Sequence, residues 1–404
     1  MTLAVTASLA TPASAVGSHG RHFKPSPSPS SLPSASPSPS LSPSPSPSVS
    51  STNATIQRNS AGQLTLNGSA YRFTGVNAYE LGTLWAVNTG CGAQVDNLDG
   101  LFSSLRTNSV VRFWAFQSLG INKYTHTVDW TALDRVFASA AKYHQRLLPV
   151  LSDQSGTCDD GHWHDPAWYN GGYKTLFNDN GSGKNIMSFD SWVNKVVPRY
   201  ASSPALGMWE LVNEPEAPTC QSGYTGNDCF GHSTCAESMA TASMRSFFDV
   251  EGSRIHALDA LHLLAAGLLG SGQCGSAGGD YKSVGASTGL DVMTVHDYGS
   301  DSVVLPGDQW NGISVRISQA KALAKPIFTE EVGILAATSM SCVSYLNRRD
   351  LLRNKAVSQL QAGMSGFVPW DWTPAAKSTC DADIGPSDPT LAMLASISLQ
   401  TAFM

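Results

Sequence analysis

Apolar segments of strand length alternate eight times with amphipathic segments along most of this chain. The strand-like segments are residues 71–77, 109–116, 146–152, 205–213, 261–269, 290–298, 326–331 and 365–372. Clear helical patterns lie between them, at residues 131–144, 189–200, 239–258, 313–323 and 345–362. Because a strand followed by a helix and a parallel strand is the unit of closed parallel barrels, eight repeats predict an α/β fold of the (β/α)8 TIM-barrel type.

The first strand-like segment lacks the glycine-rich turn that a doubly wound nucleotide-binding sheet would place after it. A barrel of about 250 residues or more forms one domain, so we expect a single folded domain. Ahead of the first strand, residues 63–72 contain Asn67-Gly68, a dipeptide typical of a tight hairpin turn. This hairpin is expected to cover the bottom of the barrel.

The first 51 residues differ in composition from the rest. Residues 1–15 are mostly small or apolar and end in Ala13-Ser14-Ala15, and no Lys or Arg precedes Arg21. We interpret them as the remnant of a signal peptide whose basic start is missing. Residues 16–51 are dominated by Ser-Pro repeats, which favour a disordered linker. The (β/α)8 domain is therefore expected to span residues 52–404 of a protein that is secreted or associated with a cell wall.

Charge and cysteine content restrict the partners and the compartment. The formal net charge is −6 without a basic patch, so nucleic acid is not an expected partner. No run of about 18 apolar residues occurs, so we predict no membrane span. The eight cysteines show neither CxxC pairs nor zinc-finger spacing, which favours disulfide bonds in an exported protein. Eight cysteines allow about 105 pairings, so the connectivity stays open. We expect the protein to be a monomer.

Two of the strand-like segments end on acids. The first runs Trp209-Glu210-Leu211-Val212-Asn213-Glu214-Pro215, where the proline prevents the strand from continuing. The second ends at Glu330-Glu331, followed by Val332-Gly333. Since the carboxyl ends of all strands meet at one face of a barrel, Glu214 and an acid of the second segment are expected close together. Cleavage of a glycosidic bond needs such a pair, with one carboxyl group protonated and the other ionised.

Further polar and aromatic residues fall at the same predicted face, namely Arg112, His296, Tyr298 and Trp370. Arg112 and a tyrosine hydroxyl would keep an attacking carboxylate charged and oriented. The face of a tryptophan offers a sugar ring an apolar platform, and Trp370 is the leading candidate for that part. Other tryptophans either face the cleft or pack in the loops: Trp85, Trp114, Trp163, Trp168 and Trp310.

Five features, in this order along the chain, resemble glycoside hydrolase family 5, which belongs to a large clan of retaining barrel glycosidases. They are Val111-Arg112-Phe113, residues 209–215, His296-Asp297-Tyr298, Glu331-Val332-Gly333 and Trp370. The resemblance implies that Glu214 is the acid/base, that Glu331 is the nucleophile, and that Asn213 hydrogen-bonds the 2-hydroxyl of the sugar. It also implies that Arg112 and Tyr298 support Glu331 and that His296 lies near Glu214.

The chain departs from the family pattern at one place and offers two candidate acids at another. Where the family usually carries a further histidine, near the end of the third strand, this chain has Leu151-Ser152-Asp153-Gln154. At Glu330-Glu331, two adjacent acids compete for the role of nucleophile. Because neighbouring residues of a strand point to opposite sides, only one of them is expected to face the cleft. Glu331 has the family's Glu-x-Gly spacing, so we assign the role to Glu331.

The cluster His162-Trp163-His164-Asp165 offers an alternative, because an HxHD motif binds catalytic metal on some barrels. It lies in the loop after the third strand and lacks a further set of histidines on later strand ends, which favours contacts at the rim or with substrate. Asp159-Asp160-Gly161 is far from the spacing of an EF-hand. We therefore predict no metal site and no cofactor.

The leading hypothesis is a secreted retaining β-glycoside hydrolase that cleaves a β-linked polysaccharide by double displacement. β-1,4-Mannan is the first choice of substrate, on general similarity to the family's mannanases. Within the class, the alternatives are an endo-β-1,4-glucanase and an exo-acting β-glycosidase whose cleft the loop of residues 215–237 would close. A non-catalytic carbohydrate-binding barrel is the alternative from another class, but the presence of both acids favours an enzyme.

Overall fold

The computed structural model of the protein describes residues 55–177, 185–338, 342–377 and 379–399. The expected signal-peptide remnant (1–15) and Ser/Pro linker (16–51) lie outside the described residues. The described strands include eight that form one parallel sheet, in the order β5-β4-β3-β2-β1-β8-β7-β6. They are β1 (Phe73–Asn77), β2 (Val110–Trp114), β3 (Arg146–Val150), β4 (Met208–Glu210), β5 (Leu263–Ala265), β6 (Met293–Asp297), β7 (Ile327–Val332) and β8 (Gly366–Phe367).

The sheet closes on itself between its two edge strands, β5 and β6. Ala265 of β5 is bridged in parallel to Val292, and the Ala266 N–H donates to the Val292 carbonyl at 3.0 Å. Further along the same seam, the His296 N–H donates to the Leu269 carbonyl at 2.9 Å. The predicted (β/α)8 TIM barrel is confirmed.

A helix follows each barrel strand in the described part of the chain. These helices are α1 (Leu98–Ser104), α2 (Thr131–Lys142), α3 (Phe189–Tyr200), α4 (Glu237–Leu258), α5 (Asp280–Gly285), α6 (Ile313–Ala322), α7 (Tyr345–Ala362) and α8 (Pro389–Ser396). Helix α7 shows how the sequence determines where a helix begins and ends. Ser344 Oγ accepts the Asn347 N–H at its start, and Gly363 ends it in a left-handed conformation.

Shorter elements lie in the loops on the strand-to-helix side. One α-helical turn is Pro166–Tyr169, and the 3-10 turns are Tyr79–Gly82, Gln117–Leu119, Gly172–Lys174 and Gly226–Cys229. Two small hairpins pair Ile121–Asn122 with Thr127–Val128 and Thr219–Cys220 with Ser233–Thr234. These elements give the loops at the carboxyl ends of the strands a defined shape.

A three-stranded antiparallel sheet closes the bottom of the barrel. Its strands are Ile56–Arg58, Leu64–Leu66 and Ser69–Ala70. The last two form the predicted hairpin, with Asn67 and Gly68 at φ values of 52° and 76°, as a type I′ turn requires. Ile56 and Leu64 are buried in one apolar cluster with residues of the barrel strands: Phe73, Val110, Leu148, Met208, Leu263, Ala265 and Phe328. This apolar plug leaves the opposite end of the barrel for a site.

The larger apolar core lies between the sheet and the helices. The buried residues of α3 recur at intervals of three and four and so fall on one face: Phe189, Trp192, Val193, Val196, Val197 and Tyr200. Tyr200 stacks on Phe137 of α2, with ring centroids 3.8 Å apart. Burial of one such side chain contributes about 2 kcal/mol. No helix among the described residues combines the length and the apolar character needed to cross a membrane.

The eight cysteines form four disulfide bonds, all in loops that follow the strands. The bonds are Cys91–Cys158, Cys220–Cys229, Cys235–Cys274 and Cys342–Cys380. The first joins the loops after β1 and β3, the third joins those after β4 and β5, and the fourth joins those after β7 and β8. The second closes a small ring within the loop after β4. The predicted disulfide bonds are confirmed, and they tie together the carboxyl-end face of the barrel.

Candidate active site

The residues expected to carry the chemistry come together at the carboxyl ends of the barrel strands. Six of them are joined by hydrogen bonds and ion pairs: Arg112, Asn213, Glu214, His296, Tyr298 and Glu331. Trp370 lies beside this network, next to Trp114, with their ring centroids 5.8 Å apart. Within the network, the two candidate acids have different partners.

Glu214 is the more exposed of the two acids. Strand β4 ends at Glu210, and the chain turns sharply at Glu214, whose φ of 51° is left-handed. Such a conformation costs a residue with a Cβ about 1 to 2 kcal/mol. The Glu214 N–H donates to the Gly267 carbonyl at 3.1 Å and so helps to hold the turn. The Glu214 side chain is 27% exposed, which allows its carboxyl group to exchange a proton with substrate or water.

Glu331 is almost fully buried and has a donor on each carboxylate oxygen. Arg112 Nη1 donates to Oε1 and the Tyr298 hydroxyl donates to Oε2, both at 2.6 Å. Burial raises the pKa of Glu331, although the positive charges of His296 and Arg112 act in the opposite direction. Short charge-assisted bonds of this kind favour the ionised carboxylate. One oxygen of Glu331 and one of Glu214 lie within 4.8 Å of each other.

Arg112 is the central cation of the site and is fully buried. Its Nε and Nη2 donate to the two oxygens of Glu210 at 2.8 and 2.7 Å. Its Nη1 also reaches Asn77 Oδ1 at 3.1 Å, and Nη2 reaches Asn213 Oδ1 at 2.6 Å. Burial alone would lower the pKa of Arg112, but the surrounding carboxylates raise it well above its usual value. The guanidinium group therefore stays charged and fixed in orientation.

His296 links the two acids of the cleft, Glu214 and Glu331, to Glu330, which lies below them. Its Nδ1 lies 2.7 Å from Glu214 Oε1, and its Nε2 lies 3.3 Å from Glu330 Oε2. Burial opposes the charged form, yet the carboxylates of Glu331, Glu214 and Glu330 raise the pKa of His296 to about 10. At neutral pH both ring nitrogens therefore carry a proton, and each donates to a carboxylate.

The structure corrects the expectation that Glu330 and Glu331 point to opposite sides of their strand. The pairing of β7 with β6 shifts by one residue. Val295 pairs with Thr329, whereas the next residue, His296, pairs with Glu331. Glu330 is thus the extra residue of a β-bulge, and both acidic side chains are buried at the site. Of the two, Glu331 contacts Tyr298 and approaches Glu214. This geometry supports the assignment of the nucleophile to Glu331.

Glu210 and Glu330 form a lower layer beneath the cleft. Both carboxyl groups are fully buried, and each shifts the pKa of the other. Burial raises the pKa of Glu210 well above its usual range. The pKa of Glu330, despite its burial, is lowered by Arg112 and His296. These opposite directions favour the protonated form of Glu210 and the ionised form of Glu330.

Sequence reasoning missed several polar members of this network, among them Asn77, Asp153 and the role of Glu210. Asn77 donates from Nδ2 to the Glu330 carbonyl at 2.8 Å, and Asp153 accepts a bond from Asn213 Nδ2 at 2.9 Å. A usable signal was present for Glu210, which lies between Trp209 and Leu211 inside an apolar strand segment. A polar group in a buried strand needs a partner, and so points to a polar interior.

Aromatic rings form one wall beside the acids. Trp370 is partly buried and stacks on Tyr79, with ring centroids 5.4 Å apart and ring planes 4° apart. It meets Trp114 at an angle of 42°, and Trp114 in turn lies against the Arg112 guanidinium, 4.9 Å from the ring centroid. Tyr79, which the sequence did not suggest, is therefore a second ring of the candidate sugar platform.

The four other candidate tryptophans divide into two groups. Trp163 and Trp168 are buried, and Trp163 Nε1 donates to the Pro218 carbonyl at 2.8 Å, which ties the loops after β3 and β4 together. Trp85 and Trp310 are 48% and 61% exposed, in the loops after β1 and β6. The exposed pair has the accessible ring faces that an outer sugar platform requires.

Two sets of residues in the described part of the chain are spaced closely enough to hold a metal ion. One includes Cys235 and Cys274, which are bonded to each other as a disulfide. The other is Glu214, His296 and Glu331, where the protonated imidazole has no lone pair to offer. In the HxHD cluster, the buried His164 ring stacks on Trp168 at 3.6 Å, which indicates a packing role.

No protein-family model matches the chain. Mannan endo-1,4-beta-mannosidase A of Aspergillus aculeatus is 26% identical over 309 residues, which cover 69% of this chain and 73% of that protein. The crystal structure of an endo-1,4-beta-mannanase from Rhizomucor miehei matches with a TM-score of 0.59 at 18% identity, covering 85% of this chain and 98% of the other.

A glycoside hydrolase family 5 mannosidase from Rhizomucor miehei matches with a TM-score of 0.55 at 14% identity, covering 85% of this chain and 96% of the other. The solved structures share the barrel fold with this chain. Together with the sequence relative, they are consistent with the resemblance to family 5 that the strand-end residues indicate.

Proposed function

We propose that this protein is a retaining β-glycoside hydrolase that cleaves β-1,4-mannan within the chain. The pair of Glu214 and Glu331 carries the proposal, because their nearest oxygens lie within 4.8 Å and their surroundings differ. Retaining glycosidases keep the two carboxyl groups about 5 to 5.5 Å apart, whereas inverting ones keep them about 6.5 to 9.5 Å apart. The choice of mannan rests on the relatives, which are named for that substrate.

In the first chemical step, Glu331 attacks the anomeric carbon while Glu214 protonates the departing sugar oxygen, which gives a covalent glycosyl-enzyme. The bonds from Arg112 and Tyr298 fix the Glu331 carboxylate before the substrate arrives. Such preorganisation avoids the cost of orienting the nucleophile during the reaction. The stacked rings of Trp370 and Tyr79 offer an apolar surface to the sugar.

The proton for the leaving group is held by the hydrogen-bonded pair of Glu214 and His296. While Glu331 is anionic, a pKa of about 10 keeps the proton on His296. As Glu331 bonds to the anomeric carbon, its negative charge falls and so does the pKa of His296, which lets the proton pass through Glu214 to the leaving oxygen in the same step. In the second step, Glu214 takes a proton from the attacking water, and release of Glu331 restores the starting charges.

The setting of the enzyme is part of the proposal. Four disulfide bonds support an oxidising, extracellular location, in line with the expected secretion or cell-wall association. The two-carboxylate mechanism uses only side chains of this chain, so it requires no metal or cofactor. We infer a monomer whose partner is the polysaccharide.

The proposal is tested by product analysis of the purified protein on mannan, glucomannan, carboxymethyl cellulose and xylan. Glu331→Gln serves as the blank, because it keeps the size of the side chain and removes the nucleophile. Oligosaccharides from mannan and glucomannan are the expected products. Single sugars alone would contradict the endo mode, and a preference for carboxymethyl cellulose would contradict the substrate. No turnover on any glycan would point to a binding barrel.

The stereochemistry is tested separately, by proton NMR during the first minutes of hydrolysis. Double displacement releases the new reducing end in the β configuration, before mutarotation mixes the anomers. An α-configured first product would show inversion and would contradict the assignment of Glu331 as a nucleophile.

A further inference from the structure

The amide group of Asn213 is held at both of its ends. Arg112 Nη2 donates to its Oδ1 at 2.6 Å, and its Nδ2 donates to Asp153 Oδ1 at 2.9 Å. The opposite orientation would set donor against donor and acceptor against acceptor, so these contacts fix which end is nitrogen. Nδ2 carries two hydrogens, and the bond to Asp153 uses one of them.

Asp153 is itself fixed in place. Its Oδ2 accepts the backbone N–H and the hydroxyl of Ser155, at 3.0 and 2.6 Å. The backbones of Asp153 and Asn213 are bridged as parallel neighbours, with the Gln154 N–H donating to the Asn213 carbonyl at 3.1 Å. Burial raises the pKa of Asp153, whereas the donors from Ser155 and Asn213 favour its ionised form. The carboxylate thus offers Asn213 an acceptor of defined position.

This arrangement decides where the remaining amide hydrogen of Asn213 points. A bond to Arg112 alone would leave the amide plane able to rotate about that contact. The second bond, at the opposite end of the group, removes this freedom. A donor with a fixed direction stabilises a transition state without reorganisation at the moment of reaction.

We propose that Asp153 is a positioning residue that directs the second amide hydrogen of Asn213 at the 2-hydroxyl of the sugar being cleaved. This inference rests on the proposed function, since it concerns the same cleft and the same reaction. Asp153 does not touch the reacting atoms. Its effect passes through Asn213, so it depends on the presence of the sugar hydroxyl that Asn213 contacts.

The test compares two substrates on the full-length protein. One is an aryl β-mannobioside, and the other is the same compound with hydrogen in place of the 2-hydroxyl next to the bond that breaks. For Asp153→Ala, we expect kcat/KM on the intact substrate to fall by about tenfold, the value of one hydrogen bond to a charged group. On the 2-deoxy substrate, the change should stay within about twofold, because the contact is already absent.

Two further variants keep the test interpretable. Asp153→Asn retains an oxygen for Asn213 but turns an NH2 group toward Ser155, so it should recover part of the loss. It also serves as the second variant if Asp153→Ala fails to fold. Asp160→Asn is the matched control, because Asp160 is a buried acid of the same loop that accepts the His162 N–H at 2.8 Å. Its ratio of kcat/KM between the two substrates should equal that of the wild type.

The outcomes separate this inference from the proposed function. The positioning role would be overturned if a folded Asp153→Ala variant lost the same factor in kcat/KM on both substrates. It would also be overturned if kcat/KM did not fall on either substrate. The positioning role would also be overturned if Asp153→Ala lowered the ratio of kcat/KM on the intact substrate to that on the 2-deoxy substrate in a protein that already carries Asn213→Ala. The effect would then not pass through Asn213. A wild-type protein that cleaves neither aryl glycoside would overturn the proposed function itself.

Discussion

At the scale of single residues, the site depends on where its protons lie. Four carboxyl groups, from Glu210, Glu214, Glu330 and Glu331, surround the two cations Arg112 and His296. Burial raises the pKa of Glu210 well above its usual range, whereas Arg112 and His296 lower the pKa of Glu330, so a proton in the lower layer belongs to Glu210. The groups that face the cleft, Glu214, Glu331 and His296, can therefore differ in charge state although they lie in direct contact.

The first prediction separates the two adjacent acids. Glu331→Gln removes the proposed nucleophile, and we expect kcat to fall by about 10⁴-fold or more. Glu330→Gln keeps the nucleophile but weakens the bond to His296 Nε2, so we expect a smaller loss of about tenfold. Initial rates on mannan measure both. A larger loss in Glu330→Gln than in Glu331→Gln would exchange the two roles.

The second prediction concerns the stability that the charge on His296 provides. An unfolded histidine has a pKa near 6.5, well below the folded pKa of His296 of about 10. Because the folded state binds the proton more tightly, the contribution is fully present below about pH 6.5 and is lost as the pH rises through about 10. The difference in free energy of unfolding between wild type and His296→Gln should therefore shrink from pH 6 to pH 10, as urea denaturation would measure. A difference that does not change with pH would contradict the charge state.

At the scale of elements, hydrophobic periodicity was enough to locate all eight barrel strands. The predicted helices at 189–200 and 345–362 match α3 and α7 residue for residue, because caps and a change of period mark both ends. Strand β4 is shorter than the predicted segment 205–213, since the chain already bends toward Glu214. The bulge in β7 was missed because it exists only in the pairing with β6, which a single strand does not encode.

The end of β7 gives the third prediction. A Cβ added at Gly333 would lie 2.4 Å from Cε1 of the Tyr298 ring, so Gly333→Ala must displace that ring from Glu331. We expect kcat to fall by about tenfold, the loss of one bond to a charged group. Gly279→Ala is the control, because nothing lies within 4 Å of the added atom. Equal activity of the two variants would show that the tyrosine bond is dispensable.

At the scale of the whole molecule, the two ends of the barrel are built differently. The bottom is closed by apolar side chains, led by Ile56 and Leu64. The opposite end is held by loops and disulfide bonds, and the sequence left their pairing open. The sequence did predict that the cysteines are oxidised and that the acids share this face. It did not predict the pairing, since that depends on which loops meet in space.

The fourth prediction uses the different ring sizes of the disulfide bonds. Cys91 and Cys158 are 67 residues apart, whereas Cys220 and Cys229 are 9 residues apart. By chain entropy, replacing both cysteines by alanine should cost about 4 kcal/mol for the first pair and about 2.5 kcal/mol for the second. Unfolding in urea under non-reducing conditions measures both losses. A greater loss in the Cys220/Cys229 variant would show that native contacts, not ring size, set the effect.

The extra residue in β7 also changes what a single arginine can do. In a regular strand, inward positions are two residues apart, about 6.6 Å along the strand. The bulge places two inward carboxylates on consecutive residues, which halves that rise. A guanidinium group spans only a few ångströms, and Arg112 reaches Glu331 at 2.6 Å while it stays 3.7 Å from Glu330. One fixed positive charge thereby acts at two depths of the barrel, and His296 adds a second contact to the lower acid at 3.3 Å.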